Sequence, residues 1–495
     1  MTESLPLIGQ VRRALEDARR VYEESPAADR IAVLEERLVE PLRVAIAGRV
    51  KAGKSTLLNA LVGEELAPTD AGECTRIVTW YQHGRVYRVS MQLRTGETIP
   101  VRFERDGGPI VVDLAGRATD DVARLIIEWP TQALREITLI DTPGIAAASA
   151  ETSGRAWDFL APSGEEPAEA DAVIYLMRHL HSEDVRFLEA FHDDELSGAS
   201  PINAVAVLSR ADEIGASRLN AMATAQRIAG RYRADPKIRR LCQTVVPIIG
   251  LLAETGVTLT QSEYDALMEV ASVDRAELDE ALLSTDRFVR ANPAGGLTPL
   301  ERQHLLLRLG MFGIRLSTVL LRQRVATTAG DLAEELVAES GLHELRDVLL
   351  TRFAGRRDVL KARSALLALE HIVEDNPGPT TDSLSADLER IRAGAHEFVE
   401  LQLLNALHTG AIELSPDQLA EAERLVGVHG TSATTRLGLE SDATSAEIIA
   451  AAYEAIEWWR RVGENPFSSK GVREGSQALV RTCEGLLADA SPSST

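Results

Sequence analysis

Arg43-Val44-Ala45-Ile46-Ala47-Gly48-Arg49-Val50-Lys51-Ala52-Gly53-Lys54-Ser55-Thr56-Leu57-Leu58 decides the fold of this 495-residue chain. Its first five residues form a short apolar run of β type. Thr56 to Val62 reads as a helix. Between them lies a complete G-x-x-x-x-G-K-S match, from Gly48 to Ser55. Strand before and helix after is the context that this motif needs. Its glycines let the backbone wrap closely round a phosphate, and the loop N–H groups converge on the phosphate oxygens. Gly48, Arg49, Val50, Lys51, Ala52, Gly53, Lys54, Ser55 and Thr56 are therefore candidate nucleotide-binding residues. Lys54 would neutralise the β- and γ-phosphates, and Ser55 would ligate Mg²⁺ through its hydroxyl. The helix that starts near Lys54 points its positive end at the anion.

Three further elements follow in order. Ile137-Thr138-Leu139-Ile140-Asp141-Thr142-Pro143-Gly144 is an apolar strand that delivers Asp141 to the metal side of the site. Asp141 would hold Mg²⁺ through water, and the Gly144 N–H would sense the γ-phosphate. Val207-Leu208-Ser209-Arg210-Ala211-Asp212 follows a buried strand, where [NT]KxD would read a guanine base. An Asp there accepts two hydrogen bonds, from guanine N1–H and the exocyclic amine, a donor pair that adenine lacks. Ser209 and Arg210 depart from that pattern, although an Arg stem can still lie over the base, so ATP stays open as the competing ligand. The loop Pro68-Thr69-Asp70-Ala71-Gly72-Glu73-Cys74-Thr75-Arg76 needs a threonine to complete Mg²⁺ coordination. Thr75, just before an apolar strand, is the candidate, and Thr69 is the alternative. Ile249-Gly250-Leu251 follows the strand TVVPII and would place Leu251 against the base. The metal set is thus Ser55, Thr75 and Asp141, and the catalytic candidates are Lys54, Thr75 and Lys51.

Further out, residues 1–40 read as two amphipathic helices broken at Ser25-Pro26. RVYRVSMQL, TIPVRF and GPIVVDL, separated by turn-like TGE and RDGG, look like a β-meander. LIIEW, ITLID, DAVIYLM and NAVAVLS are further strands, and the near-continuous apolar character of the last two suits a sheet covered on both faces. This β/α alternation predicts an α/β domain with a doubly wound, mostly parallel sheet. After about residue 285 strand signals stop and helices follow one another. The expected division is 1–40, 41–285 and 286–495.

Composition excludes some functions. Apolar residues make up 45% and charged residues 26%, as in a globular protein. The net charge of −22 repels nucleic acid. Cys74, Cys242 and Cys483 have neither metal nor redox-pair spacing and suit a reducing compartment. No signal-peptide pattern opens the chain, and no run approaches a membrane span. The expectation is a cytoplasmic protein whose membrane contact, at the inner face, is peripheral. His179 and His181 have a metal-like spacing but lack a third ligand nearby. Trp458-Trp459 reads as helix packing.

Lys54 and Asp141 are much further apart than in small Ras-like proteins. With GRVKAGKSTLLNALVGEEL, PTDAGECTRIVT and EWPTQALREITLIDTPG, this spacing resembles the bacterial dynamin-like proteins, in particular those of the mycobacterial isoniazid-inducible operon. The resemblance covers about residues 42–253, and weaker echoes lie in LLLRLGMFGIRLS and SGLHELRDVLLTRF. It implies a GTPase that uses GTP/GDP and Mg²⁺, with water as nucleophile. It implies an elongated helical bundle built from N- and C-terminal segments. It also implies nucleotide-driven dimerisation, with itself or with another dynamin-like protein, and membrane remodelling. Two features depart from the family. Dynamins keep a water-positioning Gln where this chain has Val50, and a Ser where it has Lys51. Lys51 would either offset transition-state charge or remain a solvated lysine. Slow hydrolysis, or a non-hydrolysing switch that partners another dynamin-like protein, is therefore the alternative. The breaker DNPGPTTDS (375–383) is too polar to enter a membrane, and VGVHGTSATTRLGL is weakly apolar.

Overall fold

The computed structural model describes residues 6–68, 77–105, 108–143, 169–179, 203–214, 218–290, 296–378 and 381–490, with Asp184, Val185 and Leu188. A nine-stranded sheet organises the first half. Its strands are β1 (Leu42–Gly48), β2 (Val78–His83), β3 (Arg88–Leu93), β4 (Thr98–Pro100), β7 (Val122–Trp129), β8 (Ile137–Asp141), β9 (Ala172–Met177), β10 (Ala204–Leu208) and β11 (Val245–Pro247). They run in the order β11-β10-β9-β1-β8-β2-β7-β3-β4.

The sheet has two characters, and the sequence explains both. From β11 to β8 every pair is parallel. Here β9 and β10 are buried at every residue, because both faces are covered. Within β1 the pleat sends Val44 and Ile46 to one core, and Ala45 and Ala47 to the other. Beyond β8 the pairing mixes: β2 is antiparallel to β8 but parallel to β7, and β3 is antiparallel to both β7 and β4. From Leu125 to Trp129 buried and half-buried residues alternate in β7, as expected where one face is only partly covered. The mostly parallel α/β sheet is therefore as expected.

The expected meander divides in two. β3 and β4 join the main sheet, whereas β5 (Phe103–Glu104) and β6 (Val111–Val112) form a separate antiparallel ladder. Strands of two residues carry no readable periodicity, so the sequence could not show that split.

The helices used below are α1 (Leu7–Val21), α2 (Ala27–Val39), α3 (Lys54–Val62), α4 (Gly250–Thr258), α5 (Pro299–Arg322), α6 (Ala329–Ser340) and α7 (Arg357–Asp375). Among the described residues no strand follows β11. α1 and α2 pack on α7, more than three hundred residues downstream. The Tyr22 hydroxyl donates to Asn376 O (3.0 Å), and Arg30 pairs with Asp375 (3.6 Å). Where this helical layer meets the sheet, Asp171 accepts from Arg43 N (2.9 Å) and faces Arg37 (3.4 Å) and Lys361 (3.8 Å). Burial holds both cations below their usual pKa, with Asp171 opposing it. The later helices include the antiparallel pair Ser445–Glu464 and Lys470–Ala490. α5 is long and apolar enough to cross a membrane by length and composition, yet half of its apolar window is buried in the protein.

Candidate functional site

The site lies at the carboxyl ends of the parallel strands, where open α/β sheets place their ligands. β1 runs into the Gly48–Ser55 loop. Gly48 has φ +145°, and a Cβ there would lie 2.5 Å from Leu176 O on β9. A glycine is what lets the loop leave the sheet so close to its neighbour. Gly53, at φ +96°, turns the chain into α3. Lys51 is a third left-handed residue, at φ +61°, and has a side chain that carries a Cβ cost there.

Lys54, Ser55 and Asp141, the residues expected to meet phosphate and metal, converge at the end of β8. Lys54 Nζ donates to Gly48 O (3.3 Å) and Arg49 O (3.4 Å), which places the ammonium inside the loop. Burial lowers its pKa, and Asp141 pulls it back up. Ser55 Oγ donates to Asp141 Oδ2 (3.3 Å). Burial pushes the Asp141 carboxyl up to about 6, against the opposing effects of Lys54 and Ser55. Asp141 Oδ1 is buried and has no hydrogen-bond partner among the described residues. An orphaned carboxylate oxygen beside a serine hydroxyl is a hard-oxygen donor set, and it fits Mg²⁺.

The residues expected to read a base face the phosphate loop across a cleft of about 560 Å³, including its open mouth. Ala52, Gly53, Thr56 and Leu57 line one flank; Ser209, Arg210, Asp212 and Leu251 line the other. Ser209 is buried, and its hydroxyl donates to Met177 O (3.3 Å). Arg210, at φ +53°, reaches over to the phosphate loop, where Nη2 donates to Lys51 O (2.9 Å) and Nη1 bonds Glu213 (2.7 Å). Burial raises the Asp212 pKa, with Arg210 and Arg178 among the effects that lower it. Gly250 packs against Thr56, and a Cβ there would lie 3.3 Å from Thr56 Cγ2.

The two halves read separately from sequence thus share one cleft. Val50 stands 48% exposed at the tip of the loop. Thr75, Thr69, Gly144, Cys74 and His181 lie outside the described residues. Among the described residues no group of three His, Cys, Asp or Glu could hold a metal. Reading by motif passed over Arg178, whose Nη2 also donates to Lys51 O (3.4 Å) and whose Nη1 lies 3.7 Å from Glu213. Its place just after β9 was the available signal, because strand ends on this edge supply the site. Motif reading also passed over Ile248 and Leu176, which line the cleft.

Residues 44–190 match the model of the dynamin family. The isoniazid-induced protein IniC of Mycobacterium tuberculosis is 40% identical over 97% of this chain and 98% of its own length. The bacterial dynamin-like protein of Nostoc punctiforme is 31% identical over 21% of this chain and 16% of its own. One solved structure, of an oligomerised bacterial dynamin pair, aligns with 99% of this chain and 76% of that chain, at 14% identity and a TM-score of 0.31. A P-loop sequence on a mixed sheet, together with a relative 40% identical and matched over nearly its whole length, places this chain in the dynamin family of GTPases.

Proposed function

We propose that this chain binds GTP with Mg²⁺ and hydrolyses it, and that residues 41–285 form its GTPase domain. The observation that carries this reading is the single cleft shared by the phosphate loop and Asp212. Lys54 and the loop N–H groups hold the β- and γ-phosphates. Ser55 and Asp141, with Thr75, hold the metal, which when bound screens phosphate charge and draws electron density from the bond to be broken. Asp212 selects guanine through two hydrogen bonds, while the Arg210 stem and Leu251 flank the base. Water is the nucleophile. Competition between GTP and ATP for the purified protein, with turnover of Lys54→Ala, tests the assignment. Undiminished turnover in that variant, or equal affinity for ATP, overturns it.

A second reading rests on Val50. An apolar side chain, half exposed at the loop tip, cannot orient water as a glutamine would. On that reading the chain is a slowly hydrolysing or non-hydrolysing switch, activated in a homodimer or by another dynamin-like partner. Single-turnover hydrolysis across a protein dilution series separates the two, since a rate that rises with concentration marks dimer activation. We extend the proposal to peripheral membrane remodelling or maintenance at the cytoplasmic face, on family membership. Liposome co-sedimentation in each nucleotide state tests it, and no binding in any state overturns it.

A further inference from the structure

α3 and α4 form the floor of the cleft. α3 contributes Thr56 and Leu57 on the phosphate side, and α4 contributes Gly250 and Leu251 on the base side. The two helices touch at Thr56 and Gly250. One turn further along each, Asn59 Nδ2 donates to Glu254 Oε1 at 2.6 Å. Both side chains are interior, Asn59 at 1% and Glu254 at 5% exposure. Asn59 Nδ2 also donates to Ala67 O (3.0 Å), and its Oδ1 accepts from Leu66 N (3.0 Å) and Ala67 N (2.7 Å). The amide's donors and acceptor sites are therefore all engaged. Burial pushes the Glu254 carboxyl up to about 7, with Asn59 and Arg308 lowering it and Glu65 raising it. Helix contacts do not need a buried carboxyl. A directional polar bond costs desolvation but allows one spacing and one register between the helices, which an apolar pair would not enforce.

We propose that Asn59 and Glu254 are a positioning pair that sets the separation of the base-binding and phosphate-binding halves of the cleft. Neither touches the nucleotide. The pair favours ligands that span both halves, because the second contact of a tethered ligand gains only when the spacing matches. This inference rests on the guanine-nucleotide reading above.

The test is displacement of a fluorescent GDP analogue from the full chain by GDP, by guanosine and by pyrophosphate. Guanosine reports the base half alone, and pyrophosphate the phosphate half alone. Glu254→Leu removes the one bond between Asn59 and Glu254, leaves the Asn59 bonds to Leu66 and Ala67 in place and should weaken GDP about tenfold, the scale of one buried hydrogen bond. Guanosine and pyrophosphate should stay within about twofold, since they do not span the joint. Glu254→Gln keeps an acceptor opposite Asn59 Nδ2 and should hold GDP to within about threefold of wild type. Glu254→Ala removes the acceptor without adding bulk and decides the matter should Glu254→Leu not fold. Unchanged GDP affinity in the apolar variants, equal losses for the two half-ligands, or a loss in Glu254→Gln as large as in Glu254→Leu overturns the pairing. A wild-type chain that binds no GDP overturns the guanine-nucleotide reading itself, and is told apart from those results before any variant is made.

Discussion

Gly48→Ala and Gly53→Ala place the same methyl group at two glycines of one loop, and the structure separates them. Gly53 has φ +96° and nothing within 4 Å of a built Cβ, so alanine there meets only backbone strain. Left-handed backbone costs a non-glycine residue about 1–2 kcal/mol. Gly48 has φ +145° and a built Cβ 2.5 Å from Leu176 O. Strain in that region costs about 1–3 kcal/mol. The clash is with a strand carbonyl that cannot swing aside, and relieving such overpacking costs about 1–3 kcal/mol more. Thermal unfolding of the nucleotide-free protein measures both losses. At about 2–4 °C per kcal/mol for a domain of this size, Gly53→Ala should lower the midpoint by a few degrees and Gly48→Ala by clearly more. Because Leu176 also lines the cleft, Gly48→Ala should in addition cost more nucleotide affinity. A midpoint for Gly48→Ala at or above that of Gly53→Ala would refute this account of how β1 leaves the sheet.

Other substitutions probe the same cleft. Asp212→Ala should weaken GTP binding on the order of 100-fold, the scale of two hydrogen bonds to a charged group, while ATP binding hardly changes; competition titrations read the ratio. Asp141, raised by burial to about 6, stabilises the metal-free fold at low pH and loses that contribution as pH rises through about 6. Thermal midpoints in chelator should therefore drop between about pH 4 and pH 6, less so for Asp141→Asn, while Mg²⁺-dependent turnover climbs around pH 6, where the carboxyl of the folded chain ionises for the metal. Arg210→Ala removes a bond to Lys51 O and should raise KM for GTP several-fold; an unchanged KM would show that Arg178 alone holds the loop. Burial pushes the Cys242 and Cys483 thiols up to about 12, so both should resist alkylation at pH 8 until the protein is unfolded, as mass spectrometry of iodoacetamide-treated protein would show.

How far the sequence alone reached depends on the range over which each feature acts. The phosphate loop was legible because its demands are local: positive φ at Gly48 and Gly53, a cation at Lys54, a hydroxyl at Ser55. The parallel half of the sheet was legible because strands covered on both faces are apolar at every position, as β9 and β10 are. The apolar stripes of α1 and α2 showed that something must cover them, though not that α7 does so. Hydrophobic burial has no direction, and many apolar stripes would have served. Asn59 and Glu254 read as unremarkable polar residues on two helices until tertiary packing removed their water and left each the other's partner. Arg210 and Arg178 likewise found Lys51 O only when three strand ends were brought to one edge. Backbone sign and hydrophobic period belong to a few neighbouring residues, so the sequence by itself determined the nucleotide loop and the strands that hold it. Which buried polar groups meet is settled by desolvation between distant segments, and only the tertiary structure decided that.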